Sequence, residues 1–456
     1  MSSPPDLVIR GGTVVLPTGQ RPADIAITNE TISAIGSEVG DGAETIEARG
    51  LIVLPGVVDA HVHFNEPGRA DWEGWEAGTR GAAAGGVTTV IEMPLNAHPP
   101  TTTAAAFDRK LAVASEKTLV DFALWGGLVP ENLGDLEALH QRGVAGFKAF
   151  MSHSGIDDFH RVADGVLAIG LKSTARLNAV VGVHAESQEL LDRHAAAQDA
   201  DRLSWCRARP PAAEVEAIRR LLVCMRGAGK GVRGHVVHVS CAEGLAVVDE
   251  ARGKGVAITA ETCPHYLAFT DQDFERIGPA LKCAPPIRDG ATRDALWEEV
   301  LAGRVDLIGS DHSPCPAADK TKGDDDIRQA WGGIAGIQAT LPVLLSEGLH
   351  ARGLSLERIA HLTASAPAQL FGLFPRKGAI AVGADADFAL IDPVHEWTFE
   401  AQHLQTRSGV SAYLDRKFMG AVVRTIVRGT TVFADGEVVG RKGWGQFLRP
   451  NRPNVN

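Results

Sequence analysis

The sequence predicts an α/β fold: a (β/α)8 barrel carrying a second, small β-sandwich domain built from both chain ends. Three observations predict it. Residues 1–54 and 378–456 read as short β-runs broken by turn signals. The intervening 55–377 stretch alternates brief apolar runs with helical patterns, and eight such runs can be counted. A doubly wound open sheet is the structural alternative, but no GxGxxG opens a helix after the first strand of this region.

The elements follow in order. "DLVIR", "TVVLP", "DIAIT" and "TISAIG" have β-type composition and are separated by Gly-Gly and Asn-Glu turn signals. The alternating region then offers strands at 57–63, 87–93, 120–127, 144–150, 180–185, 235–240, 256–262 and 305–311. Helices fall between them. In "AAEVEAIRRLLVCMRGAGKG", Val215, Ile218, Leu222 and Met225 recur at helical spacing, with Gly227 as the expected stop; similar patterns occupy 242–253 and 291–302. The β-texture returns in 378–393 and 422–439.

Composition excludes several function classes. The chain has 456 residues, 45% of them hydrophobic, enough for one large domain plus a smaller one. A formal net charge of −11 without a basic stripe argues against nucleic-acid or anionic-membrane binding, and favours a small-molecule substrate. The start, "MSSPPDLVIRGG", lacks a signal-peptide layout, and no apolar run approaches a membrane span, so a cytoplasmic protein is expected. The six cysteines contain no CxxC pair, and reduced thiols are the default.

Polar residues interrupt or close the strand candidates. His61 and His63, in "VVDAHVHFNEPGR", lie two apart and so face one side of a strand. Lys148, His184, His238 and Asp311 occupy the fourth, fifth, sixth and eighth strands. Catalytic groups of such barrels sit at the C-terminal strand ends. Several buried polar groups converging there need a common partner, because each left unpaired costs about 1–3 kcal/mol or more. Imidazoles with a carboxylate suit a divalent metal such as zinc, and four histidines with an aspartate exceed the needs of one catalytic ion. Two divalent ions per subunit are expected, zinc first, with iron, cobalt or manganese served by the same ligands. Lys148 does not fit this scheme as an ammonium.

"PGVVDAHVHFNEPG", "GFKAFM", "VGVHAE", "VVHVS", "GSDHSP" and the closing "KGAIAVGADADFALID" resemble successive motifs of the cyclic amidohydrolases, which include dihydropyrimidinases, hydantoinases, dihydroorotases and allantoinases. The resemblance runs almost the full chain. It implies that His61, His63, Lys148 and Asp311 hold one metal and that Lys148, His184 and His238 hold the other, with Lys148 bridging as a carbamate. It also implies a bridging hydroxide as nucleophile, Asp311 as catalytic proton shuttle, and a homotetramer.

Within that family, departures narrow the substrate. Dihydroorotases carry an arginine where this chain has Asn65, so an anionic substrate would lose its partner. Dihydropyrimidinases and hydantoinases carry a tyrosine where this chain has Phe150, and a serine where it has Ala284. The segments 63–96, 148–157 and 330–338 resemble the allantoinase branch, which implies hydrolysis of the hydantoin ring of allantoin to allantoate in purine degradation. Asn65, Asn96, Ala284, Ser313 and Gly333 are the substrate-contact candidates. A hydantoinase or dihydropyrimidinase is the nearest alternative; a non-catalytic oligomeric scaffold of the same fold is the alternative from another class. Residues 312–330 are read as a lid over the mouth. His98, His160 and His265 are left unassigned, with His153 and His312 as supporting partners of the site.

Overall fold

The computed structural model describes residues 4–451. Its strands are β1 (Leu7–Leu16), β2 (Gly19–Thr28), β3 (Thr31–Gly36), β4 (Glu44–Glu47), β5 (Ile52–Pro55), β6 (Val57–Val62), β7 (Val87–Glu92), β8 (Asp121–Leu124) and β9 (Gly126–Gly127). They continue as β10 (Phe147–Phe150), β11 (Val180–His184), β12 (Arg233–Val236), β13 (Ile258–Thr262), β14 (Leu307–Ile308), β15 (Phe388–Thr398), β16 (Lys417–Val427), β17 (Thr430–Ala434) and β18 (Glu437–Val438).

The middle of the chain is parallel. β6, β7 and β8 form one sheet, and β9 to β14 form a second in sequence order. A backbone bond links the first sheet to the segment leading into β10: Ala145 N–H donates to Leu124 O at 2.7 Å. At the other side, His63 N–H donates to His312 O at 2.7 Å, and Val62 and His312 form a parallel bridge. The strands β6, β7, β8, β10 and β11 are buried along their whole length, as expected where helices cover a parallel sheet. Among the covering helices, Pro211–Ala228, Ala242–Gly253 and Gly290–Leu301 lie where the periodicity predicts them.

Two details differ from expectation. The helix runs through Gly227 and stops at Gly229, whose φ of 99° lies in the left-handed region that glycine tolerates. Strand β12 begins earlier than expected, at Arg233, and ends at Val236, before His238, whose φ of 41° breaks the extended backbone.

Strands from both chain ends share one nine-stranded sheet, in the order β18-β17-β16-β15-β5-β1-β2-β3 with β4 alongside β1. The Gly11–Gly12 pair, expected as a turn, is instead a register shift inside continuous β1, with Gly11 at φ 74°. Asn29–Glu30 is the two-residue hairpin turn, both residues having positive φ. Leu7, Ile25, Ile32, Val53, Phe388 and Ile426 pack in one apolar cluster, and β3 meets the re-entering chain through the Thr31–Asp385 bridge.

A buried ionic cluster fastens that sheet to the start of β8. Lys377 Nζ lies 2.5, 2.9 and 2.7 Å from Asp121, Asp385 and Asp387, and Arg428 pairs with Asp121 and Glu30. Although Asp121, Asp385 and Asp387 bring three carboxylates together, an ammonium already fills the space between them. Among the described residues, no helix is long and apolar enough to cross a membrane.

Candidate metal centre

The ends of the parallel strands open into a cavity of about 360 Å³. His61, His63, Lys148, His184, His238 and Asp311 all line it, as do Asn96, Ala284, Ser313 and Gly333. Asn65 does not. Its side chain lies one layer behind, donating to Pro314 O at 3.2 Å and accepting from Asn96 Nδ2 at 3.3 Å, so it orients Asn96 instead of facing the cavity.

His61, near the end of β6, and His63, one residue past it, aim at the same point. His61 Nε2 and His63 Nε2 lie 3.2 and 3.5 Å from Asp311 Oδ1, and the three side chains present donor atoms close enough to share one ion. On the other side of the cavity, His184 Nδ1 faces His238 Nε2 at 2.9 Å. Asn65, His238 and Asp311 all have positive φ (65°, 41° and 46°), a backbone state that non-glycine residues hold only when surroundings enforce it.

The outward ring nitrogens are held as well. His61 Nδ1 bonds Glu261, His63 Nδ1 bonds Leu95 O at 2.8 Å, and His184 Nε2 bonds Glu186 Oε2 at 2.7 Å. An acceptor on the outer nitrogen fixes its proton there and leaves the inner nitrogen as a lone pair. His238 differs: its Nδ1 is buried without a hydrogen-bond partner. Glu186 is gripped in turn by Arg209, and Glu261 also meets His235 Nε2 at 3.1 Å.

Electrostatics support this division. Burial pushes His61, His184 and His238 below the ordinary imidazole range, which favours neutral rings. Burial works to raise the Asp311 carboxyl, but the His61 and His63 rings outweigh it and hold it at about 2. The same contest at Glu186 is won by Arg209 and His184, again at about 2. Burial lowers Lys148 to about 8, against the pull of Asp311 and Glu261. Phe150 stacks on His184 with ring centroids 4.7 Å apart, so its ring braces that histidine.

Residues 312–330 contribute Ser313, Arg328 and Ala330 to the cavity wall, and contain a short helix, Ala317–Thr321. Gly333 is required by geometry. Its φ is 146°, and a Cβ there would stand 2.1 Å from Ser313 O. His312 ties Glu73 to the chain at 3.2 Å, whereas exposed His98 and His160 pair with Asp158 and Glu131. His153 is exposed at the cavity, and His265 is buried with both ring nitrogens unpartnered.

Sequence reading missed Glu186, Glu261, His235 and Arg209, and also Trp205, Lys282 and Trp331 in the cavity wall. Glu186 carried a usable signal, standing two residues after His184 within "VGVHAE".

The amidohydrolase family profile matches residues 52–432. The chain is 51% identical over 452 residues to an allantoinase of Rubrobacter xylanophilus, covering 98% of each chain. It is 49% identical to an allantoinase of Solibacter usitatus, covering 98% of this chain and 97% of that one. Among solved structures, the L-hydantoinase (dihydropyrimidinase) of Arthrobacter aurescens superposes with a TM-score of 0.94 at 37% identity, covering 97% of this chain and 99% of that one.

Proposed function

The chain belongs to the amidohydrolase family, and we propose that within it this hydrolase acts as an allantoinase, opening the hydantoin ring of allantoin to give allantoate. The observation that carries the reading is one cavity on which His61, His63, Lys148, His184, His238 and Asp311 converge, in a chain whose near relatives bear that name. The donor set fits divalent metal. Burial disfavours charge on three of the imidazoles, acceptors hold the outer nitrogens of His61, His63 and His184, and an ionised carboxylate completes the group.

His61, His63 and Asp311 would hold one ion, and His184 and His238 the other. Lys148, carboxylated by carbon dioxide, would bridge them. A buried amine held down to about 8 is partly neutral at physiological pH, which is the form that reacts with carbon dioxide. Zinc is the proposed metal. The chemistry that two divalent ions supply in such a site is Lewis acidity, giving a more acidic water and a polarised carbonyl. Asp311 is ionised near neutrality and stands beside both histidines, so it accepts the attacking water's proton and returns it to the departing ring nitrogen. Phe150 cannot donate a hydrogen bond to an oxyanion. Asn96, Ser313, Ala284 and Gly333 form the proposed substrate wall, with Asn65 acting through Asn96.

The proposal extends to architecture: residues 55–377 form a (β/α)8 barrel, and 1–54 with 378–456 a small β-domain. The bonds between β6 and the segment after β14 support closure. A cytoplasmic homotetramer completes the proposal. Parallel turnover of allantoin, hydantoin, dihydrouracil and dihydroorotate tests the substrate. Preference for allantoin is expected, and preference for any other ring refutes it.

A further inference from the structure

Asp311, the proposed proton carrier, holds its φ of 46° between two neighbours that are themselves tied down. Ser310 N–H donates to Asp59 Oδ1 at 3.0 Å, and the Ser310 hydroxyl donates to His61 O at 3.3 Å. His312 N–H donates to that hydroxyl at 3.1 Å, and His312 O accepts from His63 N–H at 2.7 Å. The backbone on both sides of Asp311 is therefore fastened to β6 and the residue just past it.

The His312 ring carries this fastening outward. Its Nε2 donates to Glu73 Oε1 at 3.2 Å, and its Nδ1 accepts from Ile337 N–H at 3.4 Å, so the two contacts select one tautomer. Both partners are held by the same piece of chain, the connection between β15 and β16. Buried Glu73 accepts from Thr406 Oγ1 at 2.6 Å and from Arg407 N–H at 3.0 Å, and its backbone O accepts from Arg407 Nε at 2.7 Å. On the Ile337 side, Ser411 Oγ donates to Ala335 O at 2.9 Å. Gln338 donates to His403 O at 2.6 Å and accepts from Gln405 N–H at 3.1 Å. The Glu73 carboxylate faces three donors, so an amide in its place must set two donors against each other whichever way it turns.

We propose that Glu73 is a positioning residue for the hydrolysis: through the His312 ring it holds Asp311 in the orientation that proton transfer requires, and the β15–β16 connection sets that orientation. This rests on the hydrolase reading with Asp311 as proton carrier. A group held slightly out of line by a change remote from the chemistry loses rate while substrate binding is kept.

The test uses Glu73→Gln, with zinc in excess and the cyclic amide that wild type opens fastest. A drop of at least about tenfold in kcat is expected, with KM unchanged. Thr406→Val removes one donor from outside the site and should lower kcat alone by about threefold, and Thr406→Ser should recover most of that loss. Hydrogen exchange on the metal-free proteins gives a readout independent of turnover: the backbone at 310–312 should exchange faster in Glu73→Gln and Thr406→Val than in wild type. An unchanged kcat, an equal worsening of kcat and KM, or unchanged exchange at 310–312 would overturn the proposal. If Glu73→Gln does not fold, the Thr406 pair decides by the same readouts. A wild type that opens none of the cyclic amides would overturn the functional reading itself, and this inference with it.

Discussion

Replacing Glu261 by glutamine separates charge from geometry at the centre of the site. Fully buried Glu261 uses both oxygens: Oε1 meets His61 Nδ1 and accepts from the His238 backbone N–H at 3.3 Å, while Oε2 meets His235 Nε2 at 3.1 Å. In Glu261→Gln the amide oxygen can keep the first two contacts. The amide NH2 then faces His235, which must move its proton to Nδ1. That shift is accommodated because His235 Nδ1 lies 2.8 Å from Thr259 Oγ1, which then accepts from it and turns its own proton toward Gly234 O. The remaining cost is charge assistance, about 1–1.5 kcal/mol, or roughly tenfold in metal affinity. Glu261→Ala leaves His61 free to turn or change tautomer, and the expected loss approaches about 100-fold. Thr259→Val alone should be mild, but combined with Glu261→Gln it strands the His235 proton and adds about 1–3 kcal/mol. Chelator competition on the wild type and the four variants measures these affinities. The reasoning is refuted if the double variant equals the sum of the singles within about 0.5 kcal/mol, or if Glu261→Gln is as weak as Glu261→Ala.

Other perturbations probe separate parts of the molecule. Lys148→Ala should lower bound metal and activity together, and short carboxylic acids should partly restore both; full metal content and turnover in the variant would remove the carbamate. His265 falls from an ordinary 6.5 to about 4 through burial. Its folded pKa lies below the unfolded one, so the unfolded chain binds the extra proton between these values. Stability is therefore lost as pH falls through that window, at about 1.4 kcal/mol per unit. His265→Phe should flatten the decline in melting temperature from pH 6.5 to 4, and an unchanged slope would exclude the effect. Lys377→Met leaves Asp121, Asp385 and Asp387 without their shared ammonium and should cost about 3–5 kcal/mol in urea unfolding, with activity kept below the transition; a stability change under 1 kcal/mol would contradict that role.

What could be read from the chain follows from which signals are local. The period of two brought His61 and His63 to one side, and the apolar runs at 57–63, 87–93 and 180–185 became β6, β7 and β11 nearly residue for residue. Strand β14 is only Leu307–Ile308, because the chain must turn to present Asp311 at φ 46°. The partners that steer the ligands were mostly invisible, since Glu261 reaches His61 across 200 residues and Arg209 reaches Glu186 across 23. Asn65 was misplaced for the same reason: sequence position set it beside His63, but its φ of 65° turns it toward Asn96 and Pro314. The π-helical turns at Leu344–His350 and His361–Ser365 had no signature in composition.

Titrating zinc into metal-free protein while following allantoin turnover tests the central claim most directly. Activity should climb to a plateau at two equivalents per chain, the number expected for a paired hydrolytic centre. A plateau at one equivalent, or turnover that persists without metal, would contradict it.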